Sequence, residues 1–221
     1  MTPNDPSGSG AISDISLKCR DLQQVRTRGE LGEGIAAIVM QHSPVEILQM
    51  KRNFDDKIQE ITPEYRERLT KKITEHLLGT YQRIRLAQQQ GIFRTMLEPV
   101  GEGQVQYWNM VQEQCQEDYR RDVPDLRFLK YLLAGFCMLV LKEPGHPVGT
   151  PFPGGDSVQT TEGVYYCPVR NKANDVDAAL CPYCPALQTP EIGYLRPPTN
   201  PSERKKQEFI EHCHRFHNFN G

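Results

Sequence analysis

The chain has 221 residues, 38% of them hydrophobic and 24% charged, with a formal net charge of −2. That length suits one ordinary domain with a full core and a small appendage, and the composition is globular rather than disordered. The near-neutral balance argues against a general binder of nucleic acid or anionic membrane, because neither surface attracts the molecule as a whole.

The chain opens on MTPNDPSGSG, polar, without Lys or Arg and without an apolar run. Residues 1–11 are therefore expected to form a disordered tail rather than a secretory signal. Residues 12–143 read as one helix after another. Ser43, Pro44 and Glu46 have the spacing of a capping box with proline in the first turn, and Ile47, Met50, Phe54, Ile58 and Ile61 follow as one apolar stripe. Thr62-Pro63 starts the next helix, with Leu69, Ile73, Leu77, Tyr81 and Ile84 on its stripe and Gly91 at its end. From about 104 to 120, Val105, Trp108, Val111, Cys115 and Tyr119 are placed on one face, with Trp108 as a core anchor. Asp125 is expected to cap the last helix, which is apolar nearly all round (YLLAGFCMLVL over 131–141) and stops before Pro144. Eleven apolar residues fall far short of the roughly 20 that span a bilayer, so this is a buried central helix of a bundle.

The character changes at Pro144. Residues 144–155, PGHPVGTPFPGG, hold four prolines and four glycines, through which neither helix nor ladder is expected to run. A hairpin then turns at Glu162-Gly163, and its second strand delivers Cys167. Thirteen residues separate it from Cys181, which with Cys184 lies on the C-x-x-C turn of LCPYCPAL. Residues 144–192 thus form a small cysteine-bearing module. Residues 193–221 are a Pro-rich linker and a terminal helix, capped by Ser202 and carrying His212, Cys213, His214 and His217. The expected fold is mainly α: a helical bundle, a β-hairpin and loop module, and a C-terminal helix.

Cys167, Cys181 and Cys184 are each followed by proline, which stiffens the turn presenting the sulfur. Two thiols on one turn and a third from a strand suit a single tetrahedral zinc ion, and thiolates followed by proline also suit an iron–sulfur cluster. Three packed, reduced thiols are the plain alternative. Seven cysteines, of which three cluster, fit a reducing cytoplasm with a metal site better than a disulfide scaffold. A closed site needs a fourth ligand. His146, in the Gly/Pro loop, is the first choice, and Cys213 with His217 one helical turn later is the second. Cys19, Cys115 and Cys137 read as structural.

The run EPGHPVGTPFPGG, then YYCPV, then ALCPYCPALQTPE resembles an archaeal family seen mainly in methanogens, domain of unknown function 2115. The resemblance is specific over 143–192 and implies an archaeal cytoplasmic protein, without supplying a catalytic residue. The tail after Pro197 resembles an extension beyond it.

Other features carry less. The glycines of the loop lack the Lys-Ser/Thr of a phosphate loop. Asp156, Glu162, Asp175 and Asp177 show no acid/base spacing. Arg66, Arg68, Lys71 and Lys72, and again Arg204, Lys205 and Lys206, are interleaved with Glu as on a solvated helix face. With no nucleophile–base pair and no nucleotide fingerprint, the expectation is a metal-holding protein that binds a protein or small-molecule partner. A metalloenzyme with an open coordination position is the alternative.

Overall fold

The structure is a computed structural model that describes residues 6–117, 124–152, 156–172 and 180–189. Six α-helices come first: α1 Pro6–Gln24, α2 Arg28–Val39, α3 Pro44–Lys57, α4 Pro63–Gln89, α5 Gln104–Glu117 and α6 Pro124–Gly135. A π-helical turn over Phe136–Val140 extends α6. Three short strands follow, β1 Gln159–Thr161, β2 Val164–Cys167 and β3 Leu187–Gln188. The expected bundle-then-module order is the one observed. Among the described residues no helix is long and apolar enough to cross a membrane.

Local chemistry explains most helix starts. The Ser43–Glu46 box closes as expected, with the Ser43 amide donating to Glu46 Oε2 at 2.7 Å. A second box starts α2, where the Glu30 amide donates to Thr27 Oγ1 and the Thr27 amide to Glu30 Oε2, both at 3.1 Å. Helix α6 and its π turn form the centre of the bundle, buried without interruption from Leu126 to Val140. It ends where Lys142 takes a left-handed φ of 59° and the Glu143 amide reaches back to the Cys137 carbonyl at 2.8 Å. Arg28 donates to the Val140 carbonyl at 2.6 Å, capping that same end from α2.

Four expectations are corrected. Helix α1 begins at Pro6, inside the segment expected to be a tail, and Ile15, Cys19 and Leu22 bury at helical spacing along its packing with α5; tertiary packing, not local signal, makes this helix. Val105 is exposed, because the buried face of α5 is centred on Gln104, Tyr107, Trp108, Val111 and Cys115. Gln104 belongs there because its amide donates to the Leu22 carbonyl at 2.7 Å, closing the end of α1. Asp125 is not a cap: the helix already runs from Pro124, so the carboxylate lies in the first turn, where the helix dipole favours it. The Gly/Pro loop does enter a ladder. Pro151 bridges Ser157, and the Phe152 amide donates to the Asp156 carbonyl at 2.7 Å, as the prolines fall at positions whose missing N–H the ladder does not need.

The hairpin turns at Glu162 (φ 51°) and Gly163 (φ 80°), the two-residue turn with both central φ values positive that matches strand twist. Unforeseen in the sequence is β3, which lies parallel to β2 and pairs Cys167 with Gln188. Tyr119 and the terminal segment with His212, Cys213, His214 and His217 lie outside the described residues.

Candidate metal centre

Among the described residues, side-chain contacts dock the module on the bundle and fix the junction just before it. Tyr65 of α4 donates its hydroxyl to the Pro151 carbonyl at 2.8 Å. Arg83 and Glu143 form a two-pronged ion pair at 2.6 and 2.7 Å. Tyr183, inside the C-x-x-C turn, meets the Tyr107 ring edge-on at 5.2 Å and donates to the Gln106 carbonyl at 3.2 Å. The cysteine turn is thereby held against α5 by its own aromatic residue.

Cys181–Tyr183 form a 3-10 turn, closed by the Cys184 amide donating to the Cys181 carbonyl at 3.0 Å. Cys184 leaves this turn extended, the conformation Pro185 imposes on its predecessor. Cys167 ends β2, and the chain turns directly after it so that the amides of Val169 and Arg170 point at its sulfur. Cys167 and Cys181 are buried and Cys184 is half-buried. All three, together with His146, line one cavity of about 90 Å³ between α3, α4, α6 and the module. The fourth-ligand candidate and the three cysteines therefore line one cavity. The His146 ring also meets Phe152 edge-on at 6.1 Å, and Phe152 packs in the small cluster that contains Cys167.

Burial pushes the Cys167 thiol up to about 11 and the Cys181 thiol to about 12, and in each case neighbouring thiols add to the rise. The Val169 and Arg170 amides and the Arg170 guanidinium act the other way on Cys167. Without a cation, then, these are neutral thiols at neutral pH, and binding one would release their protons. Among the described residues, however, no three His, Cys, Asp or Glu side chains are grouped as ligands of a single ion.

One residue of the cavity was missed in the sequence. His76 of α4 lines it, and burial lowers its imidazole to about 4, offset in part by Glu143 and reinforced by Arg83 and Lys72. Its Nε2 lies 4.0 Å from Cys137 Sγ, which also contacts Thr80 Oγ1 at 3.6 Å. The signal was present: His76 falls between Ile73 and Thr80 on the buried stripe of α4. Lys130 and Arg170 also reach this cavity. Cys19, Cys115 and Cys137 are buried, unpaired thiols in the helices, as expected of structural cysteines.

The family described as "uncharacterized protein conserved in archaea", domain of unknown function 2115, matches residues 27–189. The chain belongs to this family. The match takes in the helices as well as the module, well beyond the 143–192 stretch that carries the sequence resemblance, and it ends before the His-bearing tail. UPF0305 proteins of methanogens are similar. One from Methanopyrus kandleri is 37% identical over 91 residues, 41% of this chain and 63% of that protein. One from Methanothermobacter thermautotrophicus is 56% identical over 48 residues, 22% of this chain and 31% of that protein. A third, from Methanocaldococcus jannaschii, is 22% identical over 163 residues, 74% of this chain and 97% of that protein. The first two matches thus span less than two thirds of those relatives' own length. No solved structure matches the chain.

Proposed function

We propose that this family member is a cytoplasmic metal-thiolate protein, in which Cys167, Cys181 and Cys184, with His146 as a fourth donor, hold a metal that locks the module onto the helical bundle. The observation that carries the reading is that Cys167, Cys181 and Cys184, from two separate turns, line a single cavity. Backbone amides aimed at Cys167 support it, because such hydrogen bonds favour the thiolate over the thiol. Thiolate donors select zinc or iron–sulfur over hard cations. The module then presents its outer face to a protein or small-molecule partner.

A metalloenzyme is the second reading, and the space beside the sulfurs favours it, since a vacant coordination position needs room for a reactant. Ligand counting separates the two: four protein donors suit a structural centre, three a reactive one. The test is elemental analysis of the full chain purified without oxygen. Bound metal is expected in the wild type and lost in Cys184→Ser. A wild-type protein free of metal overturns the proposal.

A further inference from the structure

The turn over Cys181–Tyr183 sets two thiols and a tyrosine in one place. The Cys184 amide closes it on the Cys181 carbonyl at 3.0 Å, and a four-residue turn of this kind holds its end Cα atoms within about 7 Å. Disulfides bridge Cα atoms about 4.4–6.8 Å apart, so the turn itself brings the two cysteines to bridging range. Cys181 is buried and Cys184 half-buried, which makes Cys184 the thiol that a solute meets first. Between them stands Tyr183, whose ring meets Tyr107 edge-on at 5.2 Å and whose hydroxyl donates to the Gln106 carbonyl at 3.2 Å. Tyr107 in turn meets Trp108, the single tryptophan of the chain, edge-on at 4.9 Å.

We propose that Cys181 and Cys184 form a reversible dithiol–disulfide couple that exchanges with low-molecular-weight disulfides, and that Tyr183 carries the redox state of the turn into α5. This goes beyond the metal-thiolate reading: it uses two of the same thiols and needs no ion. The Cys184 sulfur gives up its proton and attacks one sulfur of the incoming disulfide, so that a mixed disulfide forms and the first thiol leaves. Cys181 then attacks the Cys184 sulfur, the Cys181–Cys184 bond closes and the second thiol departs. Two electrons pass from the pair to the incoming disulfide, and the two cysteine protons end on the two thiols released. Closing the bond draws the Cys184 side chain across the turn that carries Tyr183. A ring that small has few conformations, so the seat of Tyr183 on Tyr107 and Gln106 shifts with it. Cys167 stands apart from the exchange, because it ends β2 with its backbone paired to Gln188, whereas Cys181 and Cys184 share one turn.

The test uses the full chain, purified without oxygen, equilibrated with glutathione disulfide and then returned to excess dithiothreitol. Thiol alkylation with peptide mapping identifies the bond, Trp108 emission follows the bundle, and elemental analysis follows any metal. A Cys181–Cys184 bond is expected to form and to open again on reduction, with a reversible change in Trp108 emission. Tyr183→Ala is expected to keep the bond and lose the emission change. A bond from Cys167 to either cysteine, or thiols that stay free in glutathione disulfide, overturns the couple. An unchanged emission in the oxidised wild type, or a change that survives in Tyr183→Ala, overturns the route through that ring. Metal-free protein that forms the bond overturns the metal-thiolate reading and leaves the couple standing; metal-bearing protein whose thiols stay free does the reverse. If Tyr183→Ala fails to fold, the wild-type mapping and emission still decide.

Discussion

The bundle and the cysteine module are stabilised in different ways. In the bundle, every helix contributes a stripe to one core that includes Trp108, Tyr107, Tyr131, Phe128 and Phe136, all essentially without exposure. In the module the buried apolar cluster among the described residues is Phe152, Val158, Cys167, Val169 and Ala186, served by strands of two to four residues. So small a core does not sustain three short strands by itself. The module depends on turn chemistry and on docking against α4 and α5. One region is specified many times over, the other by a few residues each of which matters.

The sharpest test of the first half of this contrast is Trp108→Ala. It removes the largest fully buried side chain and its edge contact with Tyr107 at 4.9 Å. A loss of about 3–5 kcal/mol is expected, as for a large aromatic cut from a packed core. It should appear in denaturant unfolding as one cooperative shift of the whole chain. A change confined to one helix would show that the bundle is not a single unit.

The proposed metal offers the test of the other half. Chelation, or Cys184→Ser, is expected to speed amide exchange across 144–189 by more than tenfold while exchange in α2, α5 and α6 stays within about twofold, since metal-binding energy is folding energy only where the metal binds. Equal exchange in the module with and without metal would mean that turns and docking suffice.

The join between the two regions also titrates. His76 lies at the cavity with its imidazole lowered to about 4 from 6.5, facing Glu143, Arg83, Lys72, Cys137 and His146. The folded chain therefore holds a neutral ring where the unfolded chain takes up a proton. The resulting stability is complete above about pH 6.5 and is lost as pH falls toward about 4, a change on the order of 1–3 kcal/mol. His76→Gln is expected to reduce this acid limb without abolishing it, because burial lowers the His146 imidazole to about 4 as well. An unchanged limb in the variant would assign the loss to other groups.

The contrast also explains what could be read in the sequence. Helices α3, α4 and α6 announce themselves through Ser43, Thr62 and an unbroken apolar run, because periodicity and caps are local properties. The start of α1 and the turn of α5's face are not local: Pro6 joins a helix that α5 stabilises, and Gln104 is buried to bond the end of α1. In the module, Glu162-Gly163 and the cysteine turn are legible because turn residues carry their own geometry. Strand β3 is not, since Leu187–Gln188 gains its conformation only by pairing with β2. Likewise His76 reaches the cysteines from 91 residues before Cys167, a contact that tertiary packing alone creates.

A smaller effect is expected at the hairpin. Gly163 has φ 80°, and a Cβ there meets no neighbour within 4 Å, so Gly163→Ala is strained by its backbone alone. About 1–2 kcal/mol is expected, the usual left-handed penalty. It should be felt in the module, as faster exchange in β1 and β2, without a change in the bundle. A shift of the global transition by the full amount would show that hairpin and bundle unfold together.

The smallest effect belongs to Arg83 and Glu143, which join α4 to the last residue before Pro144. Their geometry is favourable, two short hydrogen bonds in parallel, yet the side chains remain 47% and 31% exposed. Water screens a pair of that exposure, so its geometry contributes direction more than energy. A double-mutant cycle with Arg83→Met and Glu143→Gln is expected to give a coupling of about 0.2–1 kcal/mol. Because the pair fixes how the chain leaves the central helix, exchange at Thr150 and Phe152 should nevertheless rise in either variant. A coupling above about 2 kcal/mol would place this junction among the buried interactions of the core. The bundle would then extend past Pro144, and the division into a core-built region and a site-built region would have to be drawn further along the chain.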